Sequence, residues 1–404
     1  IAFVRWSEQR NFEAILDMMS GGQIDVKPLI THRFKFENAS DAYELLTTDK
    51  TALGILLQFE SKGSSRHCKS INIQPAPRYE KDKPVVGFIG AGNYASRVLI
   101  PAFKEAGAQF HTISTSGGIN GVIHGEKAGF SEATTDTQSM IENSSINTIA
   151  IVTQHNSHAY FVQQALKAGK NIFVEKPLAI THEELNDVKA VYDEVVKTDK
   201  PPKLMVGFNR RFSPQIQKMK ELLAPIKDPK SFIMTMNAGS IPGDHWTQDN
   251  NVGGGRIIGE ACHFIDLMRY LAGSEIVSVQ ARRMGDTDSV DITEDKAAII
   301  LGFADGSFGT IHYLANGAAS YPKERVEVFV AGKVLQLDNF VKLKGFGWKG
   351  FKKLNLWKQD KGQNLCSKLF LDSIKNGTEA PILIDEIFEV AKVSIDIANQ
   401  LRQQ

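Results

Sequence analysis

The sequence predicts an α/β protein with two principal parts. The first is a parallel sheet with helices on both faces, and the second is an α/β domain with an open, mostly antiparallel sheet. Three observations predict this. Between Pro84 and Phe208, short, continuously apolar runs alternate with helix-like runs, the pattern of strands buried on both faces. After Asn209, strand-like runs follow one another through hairpin-type turns at Asp305-Gly306 and Ala331-Gly332-Lys333. The length of 404 residues also exceeds that of one ordinary domain.

The elements follow in order. Residues 1–59 begin with a strand-like Ile1-Ala-Phe-Val4, the way a fragment starts. They continue with a helix over 8–19, a strand over 27–36, a helix near 39–46 behind a polar start at Asn38, and a strand over 54–59. Residues 60–83 lack hydrophobic periodicity, are polar, charged and Pro-bearing, and read as a linker. Strands are expected at 85–89, 109–114, 148–153, 171–174 and 204–208, with helices at 95–106, 157–168 and 182–196. Gly107 and Gly169 stand where helices end in a left-handed residue. Pro101 falls inside the first of these helices and predicts a kink. The later part gives strands at 231–237, 276–283, 296–303, 307–315, 325–331 and 333–338, and helices at 257–271 and 384–402. The domains are thus expected at 1–59, 84–208 and 209–404.

Composition narrows the function classes. Hydrophobic residues make up 42% and charged residues 23%, with a net charge of +1, which argues against a nucleic-acid partner. No apolar run approaches the ~20 residues of a membrane span, so no membrane partner is expected. Cys68, Cys262 and Cys366 suit neither a disulfide framework nor a metal site, which favours a reducing, cytoplasmic setting.

The first strand runs into Gly90-Ala-Gly92-Asn93-Tyr94-Ala95, which fits the G-x-G-x-x-G/A turn of a Rossmann dinucleotide-binding domain. The first glycine makes the turn, the second admits the pyrophosphate, and Ala95 lets helix pack on strand. The phosphates would sit at the positive end of the helix. No carboxylate stands between Ala106 and Gly125, where one normally holds the adenosine ribose of NAD. The loop after the second strand, with Ser114 and Thr115, has room for a 2′-phosphate but no Arg to neutralise it. NAD and NADP both stay open, with a lean to NADP.

Two further stretches carry a resemblance. One is Ile151-Val-Thr153-Gln-His155-Asn-Ser-His158, followed by Val174-Glu175-Lys176-Pro177. The other is Gly253-Gly-Gly-Arg-Ile-Ile-Gly-Glu260-Ala-Cys-His263-Phe-Ile-Asp266. With the glycine turn they resemble the Gfo/Idh/MocA family of NAD(P)-dependent sugar and polyol oxidoreductases, from Pro84 to the C-terminus. The resemblance implies that Lys176 and His263 are the catalytic pair, touching the hydroxyl or carbonyl being interconverted and handling its proton. It also implies a cis Lys176–Pro177 bond. Lysine and histidine suit the task, because hydride leaves a carbinol carbon only as its hydroxyl proton departs to a group of tuned pKa. The cofactor-facing set is then Gly90, Gly92, Asn93, Tyr94, Ala95, Ser114, Thr115, Thr153, His155, His158, Glu175 and Lys176. For His155 and His158 a helix-start role is the alternative.

The family often has Asp four residues before the histidine, where this chain has Gly259. Glu260 lies about 100° further around a helix, so either His263 acts with Lys176 alone or Glu260 joins through local distortion. On the substrate side the resemblance points to Arg210, within Asn209-Arg210-Arg211, and to His245 and Trp246, for which packing is the equal alternative. Asp266 either contacts substrate or lies on the helix surface.

Residues 1–59, with Phe3-Val-Arg-Trp6, Ile30-Thr-His-Arg-Phe34 and Ala42-Tyr43, resemble the tail of a zinc-type medium-chain dehydrogenase domain. That likeness implies a fusion of the kind associated with bacterial cell-surface polysaccharide synthesis. The expected function is interconversion of a hydroxyl and a carbonyl on a small-molecule sugar, nucleotide-linked, by a homo-oligomer. Two other classes stay open: glycosidic elimination or hydrolysis with a retained NAD, and a non-catalytic sensor of sugar or dinucleotide.

Overall fold

The structure, a computed structural model, describes residues 7–59, 68–80, 83–286 and 292–404. The strand-like start at residues 1–4, Trp6, and linker residues 60–67, 81 and 82 lie outside the described residues. The chain divides into two compact units, 1–68 and 69–404.

The first unit contains α1 (Glu8–Ser20), β1 (Ile30–Lys35), α2 (Ala39–Thr48) and β2 (Gly54–Gln58). Ser7 caps α1 by accepting a hydrogen bond from the Arg10 amide. The first strand starts three residues later than expected because Lys27–Leu29, with Pro28, forms a 3₁₀ turn. β1 and β2 pair in parallel.

The second unit opens with a seven-stranded sheet. Its strands are β3 (Ser70–Asn72), β4 (Val85–Ile89), β5 (Gln109–Ser114), β6 (Glu132–Thr134), β7 (Thr148–Ile151), β8 (Asn171–Val174) and β9 (Leu204–Val206). They lie in the order β3-β6-β5-β4-β7-β8-β9, parallel except for β3, which runs antiparallel to β6. β4 is buried at all five residues, as its apolar run requires. The strand order reverses between β4 and β7, which opens a crevice at their carboxyl ends.

Part of the expected linker therefore belongs to this sheet. Beyond β3, the Ile73 amide donates to the Ser131 carbonyl (2.8 Å) and the Tyr79 ring stacks on His111. A strand of three residues is too short to leave an alternating pattern.

The helices of this part are α3 (Ile100–Glu105), α4 (Ile119–Ala128), α5 (Thr137–Glu142), α6 (His158–Lys167) and α7 (His182–Val195). The helix expected over 95–106 is divided. A π-helical turn spans Ala95–Leu99, and Pro101 falls in the first turn of α3, where its missing N–H is least costly. α4 escaped the pattern reading because it carries Gly121 and Gly125, poor helix formers. A Cβ at Gly125 would lie 2.6 Å from Ile73 Cδ1, so the glycine lets α4 press on the edge segment.

After α8 (Pro214–Leu223) come β10 (Ser231–Asn237), α9 (Cys262–Ala272), β11 (Ile276–Arg283), β12 (Lys296–Phe303), β13 (Phe308–Leu314), β14 (Glu324–Val330), β15 (Lys333–Asp338), β16 (Lys342–Phe346) and β17 (Lys353–Asn355). The chain closes with α10 (Gln363–Asn376) and α11 (Ile384–Arg402). The sheet order is β11-β12-β13-β10-β14-β15-β16-β17, antiparallel except for the β10–β13 pair. Both expected hairpins form, and the second has positive φ at Ala331 and Gly332. Another π-helical turn, Ile257–Ala261, precedes α9.

Phenylalanines knit the interior. Phe110 stacks on Phe130 (4.5 Å), Phe88 meets both edge-on, and Phe103, Phe173 and Phe370 continue the chain of edge contacts into α10. Phe370→Ala is expected to cost about 3–5 kcal/mol, read as a lower urea midpoint with an unchanged slope.

Candidate active site

The glycine turn has the geometry its sequence requires. Gly90 has φ +102°, and a Cβ there would meet the Val152 carbonyl oxygen at 2.5 Å. At Gly92 a Cβ would meet nothing within 4 Å, so the backbone borders open space at the start of a helical segment. Ala95 is fully buried, and Asn93 is exposed. This cradle of small residues fits the pyrophosphate of a dinucleotide. Tyr94 is partly exposed, and its hydroxyl lies near Glu175. Burial pushes the Glu175 carboxyl up to about 7, although Lys176 and Tyr94 pull it down.

On the adenosine side, Ser114 is buried and its hydroxyl pairs with Thr137 (2.7 Å), so it supports the loop from beneath. Thr115 Oγ1 accepts from the Gly118 amide (3.1 Å) where α4 begins. The former linker brings up a cation that the sequence reading missed. Lys69 pairs with Asp136 (3.0 Å), and its carbonyl accepts from the Thr135 amide (2.7 Å). Thr135 in turn lies against the Gly118 end of the loop.

Lys176 follows β8, and its bond to Pro177 is cis. Its ammonium donates to the Gly259 carbonyl (2.8 Å), in the π-helical turn that leads into α9. His263, the second residue of α9, is buried with Nδ1 unpartnered. Burial first, and then Arg210, Lys176, Lys361 and Lys323, push its pKa well down, so the imidazole is neutral.

His155 and His158 are both tied to backbone carbonyls. His155 Nδ1 lies 2.8 Å from the Gly253 carbonyl, its ring meets Trp246 edge-on (4.8 Å), and burial pulls it down to about 3. His158 has no exposed surface, and its two nitrogens face the carbonyls of Pro177 (2.7 Å) and Thr153 (3.1 Å). Thr153 gives its hydroxyl to a pairing with Ser157 (2.6 Å) at the helix start. Half-buried Trp246 thus packs on His155, whereas His245 is exposed with Nδ1 2.8 Å from the Thr247 hydroxyl.

Among the expected substrate contacts, the structure redistributes the charges. Asp266 lies neither on the helix surface nor free for a ligand. It is fully buried, with both oxygens 2.8 Å from Arg211 Nε. Arg210 donates to Glu324 (2.5 and 3.0 Å), which also pairs with Lys361 (2.5 Å). Glu260 is held by Tyr313 (2.5 Å), Arg256 (3.0 Å) and Lys323 (3.1 Å). Burial would raise its pKa, but Lys323, Tyr313 and Arg256 hold it at about 2. Glu260 is therefore a fixed carboxylate. Lys323, Glu324 and Lys361 were not legible in advance, since charges at strand starts and in loops resemble solvated surface. Among the described residues no group of three or more His, Cys, Asp or Glu could hold a metal ion, and no helix is long and apolar enough to cross a membrane.

Comparison with known proteins matches this layout. The chain is 29% identical over 223 residues to myo-inositol 2-dehydrogenase of Thermotoga maritima, covering 53% of this chain and 63% of that protein. It is 26% identical over 262 residues to levoglucosan dehydrogenase of Pseudarthrobacter phenanthrenivorans, covering 57% and 66%. The chain thus spans a little under two thirds of the length of each of these two relatives. The fold superposes on levoglucosan dehydrogenase in complex with NADH and levoglucosan with a TM-score of 0.69 at 23% identity, over 79% of this chain and 97% of that one. Residues 85–207 match the oxidoreductase family, NAD-binding Rossmann fold, and residues 216–334 match the GFO/IDH/MocA C-terminal domain. The chain therefore carries the N-terminal and C-terminal domains of the Gfo/Idh/MocA family.

Proposed function

We propose that this chain interconverts a hydroxyl and a carbonyl on a sugar, with a nicotinamide dinucleotide on the Gly90–Ala95 turn and Lys176 and His263 as the catalytic residues. The observation that carries this reading is the hydrogen bond from Lys176 to the turn of helix that leads into His263. It fastens the end of a Rossmann strand to the helix bearing the second candidate. When bound, the dinucleotide supplies the hydride acceptor or donor. The remaining N–H groups of Lys176 can hold the oxygen of the reacting carbon, since one is spent on Gly259. His263, neutral among cations, can take the hydroxyl proton.

The finer reading extends this. The sugar is nucleotide-linked and serves cell-surface polysaccharide synthesis in the cytoplasm, and residues 1–59 are the remnant of a zinc-type medium-chain dehydrogenase domain. The enzyme is a homo-oligomer. The lean to NADP rests on the hydroxyl-bearing loop after β5 and on Lys69 beside it.

Lys176→Met is expected to reduce kcat by about 10²–10⁴-fold while NAD(P)H binding, followed by fluorescence, stays normal. Retained turnover removes Lys176 from its role. Lys69→Ala is expected to lower kcat/KM with NADPH several-fold more than with NADH. An equal fall with both separates Lys69 from cofactor choice.

Glu175 gives a pH test. Its folded pKa of about 7 stands above the ordinary 4.5, so the folded state holds this proton longer. Its contribution is full below about pH 4.5 and is lost as pH rises through 7, by at most about 3 kcal/mol. Glu175→Gln is expected to flatten the fall in melting temperature over that window.

A further inference from the structure

The ion pairs around His263 do not balance. Glu324 serves two cations, Arg210 and Lys361, and Glu260 serves two more, Arg256 and Lys323. Lys323 and Glu324 are consecutive at the start of β14, so the two groups stand side by side. Lys176 is a fifth cation, and its hydrogen-bond partner is a carbonyl. Asp295 lies 3.7 Å from Arg256, but Lys296 holds it at 2.5 Å, so that pair adds no net charge. Glu175, beside Lys176, is only partly ionised at neutral pH. On the other flank of α9, Arg211, Arg269 and Lys220 face Asp266, Glu386 and Glu389, three against three. The excess of positive charge is thus confined to the catalytic side.

Surplus cations shielded from water are costly, and an entering anion removes that cost. Arg210 and Arg256 are buried, whereas the side chains of Lys361 and Lys323 are 18% and 44% exposed. The lysines are therefore the cations that a ligand can reach. We propose that the substrate of this site is a sugar bearing an oxyanion, a carboxylate or a phosphate, and that Lys323 and Lys361 receive it. This rests on the sugar-oxidoreductase reading and specifies its substrate class.

The test is titration calorimetry of the NADH-loaded protein with glucuronate, glucose 6-phosphate, glucose and myo-inositol, with turnover of each followed separately using NAD+ or NADP+ as the hydride acceptor. At least one acidic sugar is expected to bind about tenfold tighter than the neutral ones, and more weakly as salt is raised. Preference for glucuronate identifies a carboxylate, and preference for glucose 6-phosphate a phosphate. Lys361→Met and Lys323→Met are each expected to weaken acidic-sugar binding several-fold more than neutral-sugar binding. Glu324 retains Arg210 in the first variant and Glu260 retains Arg256 in the second. Equal binding of acidic and neutral sugars overturns the proposal, as does binding of neither. Turnover of neutral sugars without acid preference overturns this proposal alone. Salt-sensitive binding of acids with no turnover overturns the oxidoreductase reading and leaves the anion site standing.

Discussion

A buried guanidinium holds the catalytic half of the molecule in register. Arg211, almost without contact with water, binds Asp266 on α9 and Glu386 on α11 from the 3₁₀ turn that follows β9. Burial pushes the Asp266 carboxyl up to about 6, against the pull of Arg211. Taking such charges out of water is expensive, and removing one partner leaves the others stranded. The arrangement is therefore nearly all-or-none. Because Asp266 stands one turn after His263 on the same helix, whatever fixes Asp266 also fixes the backbone that carries the imidazole. Arg210, next in the chain, reaches the opposite group at Glu324. Two adjacent arginines thus join the framework to the site.

The π-helical turn before α9 shows what occupies the surroundings of Gly259. A Cβ there would lie 2.8 Å from the His155 ring, so the space of a side chain is already taken. Glycine leaves its carbonyl to Lys176, and the neighbouring Glu260 is held by Arg256, Tyr313 and Lys323. π-turns often mark functional positions. Here one lies in the cofactor turn and the other beneath the lysine.

Much of this was legible because it is local. Apolar strands announce themselves by composition, Gly90 and Gly92 by spacing, and the hairpin at Ala331-Gly332 by the residues that tolerate positive φ. Lys176 and His263 were found through resemblance and stand in one cluster joined through Gly259. What was hidden depends on distant pairing. Asp266 looks like a surface residue until Arg211, 55 positions earlier, is placed against it. Lys361 gains meaning only beside Glu324. For His155 and His158 the resemblance implies a cofactor-edge place with a helix-start role as the alternative, and distant carbonyls that no local pattern announces hold His155 Nδ1 and both nitrogens of His158. α4 was obscured by two glycines, of which Gly125 packs against Ile73 and Gly121 against Thr115.

The pairing of Ser70–Asn72 on β6 bears on how the dinucleotide domain can be isolated. A fragment cut at Pro84, the boundary that the apolar rhythm suggests, would strip the backbone partners from the outer edge of Glu132–Thr134, leaving only β5 on its inner side. Bare strand edges invite pairing with other chains, so such a fragment would tend to self-associate. A cut upstream of Lys69 keeps that flank covered. The segment that looks like connecting chain thus acts as a guard strand for the sheet.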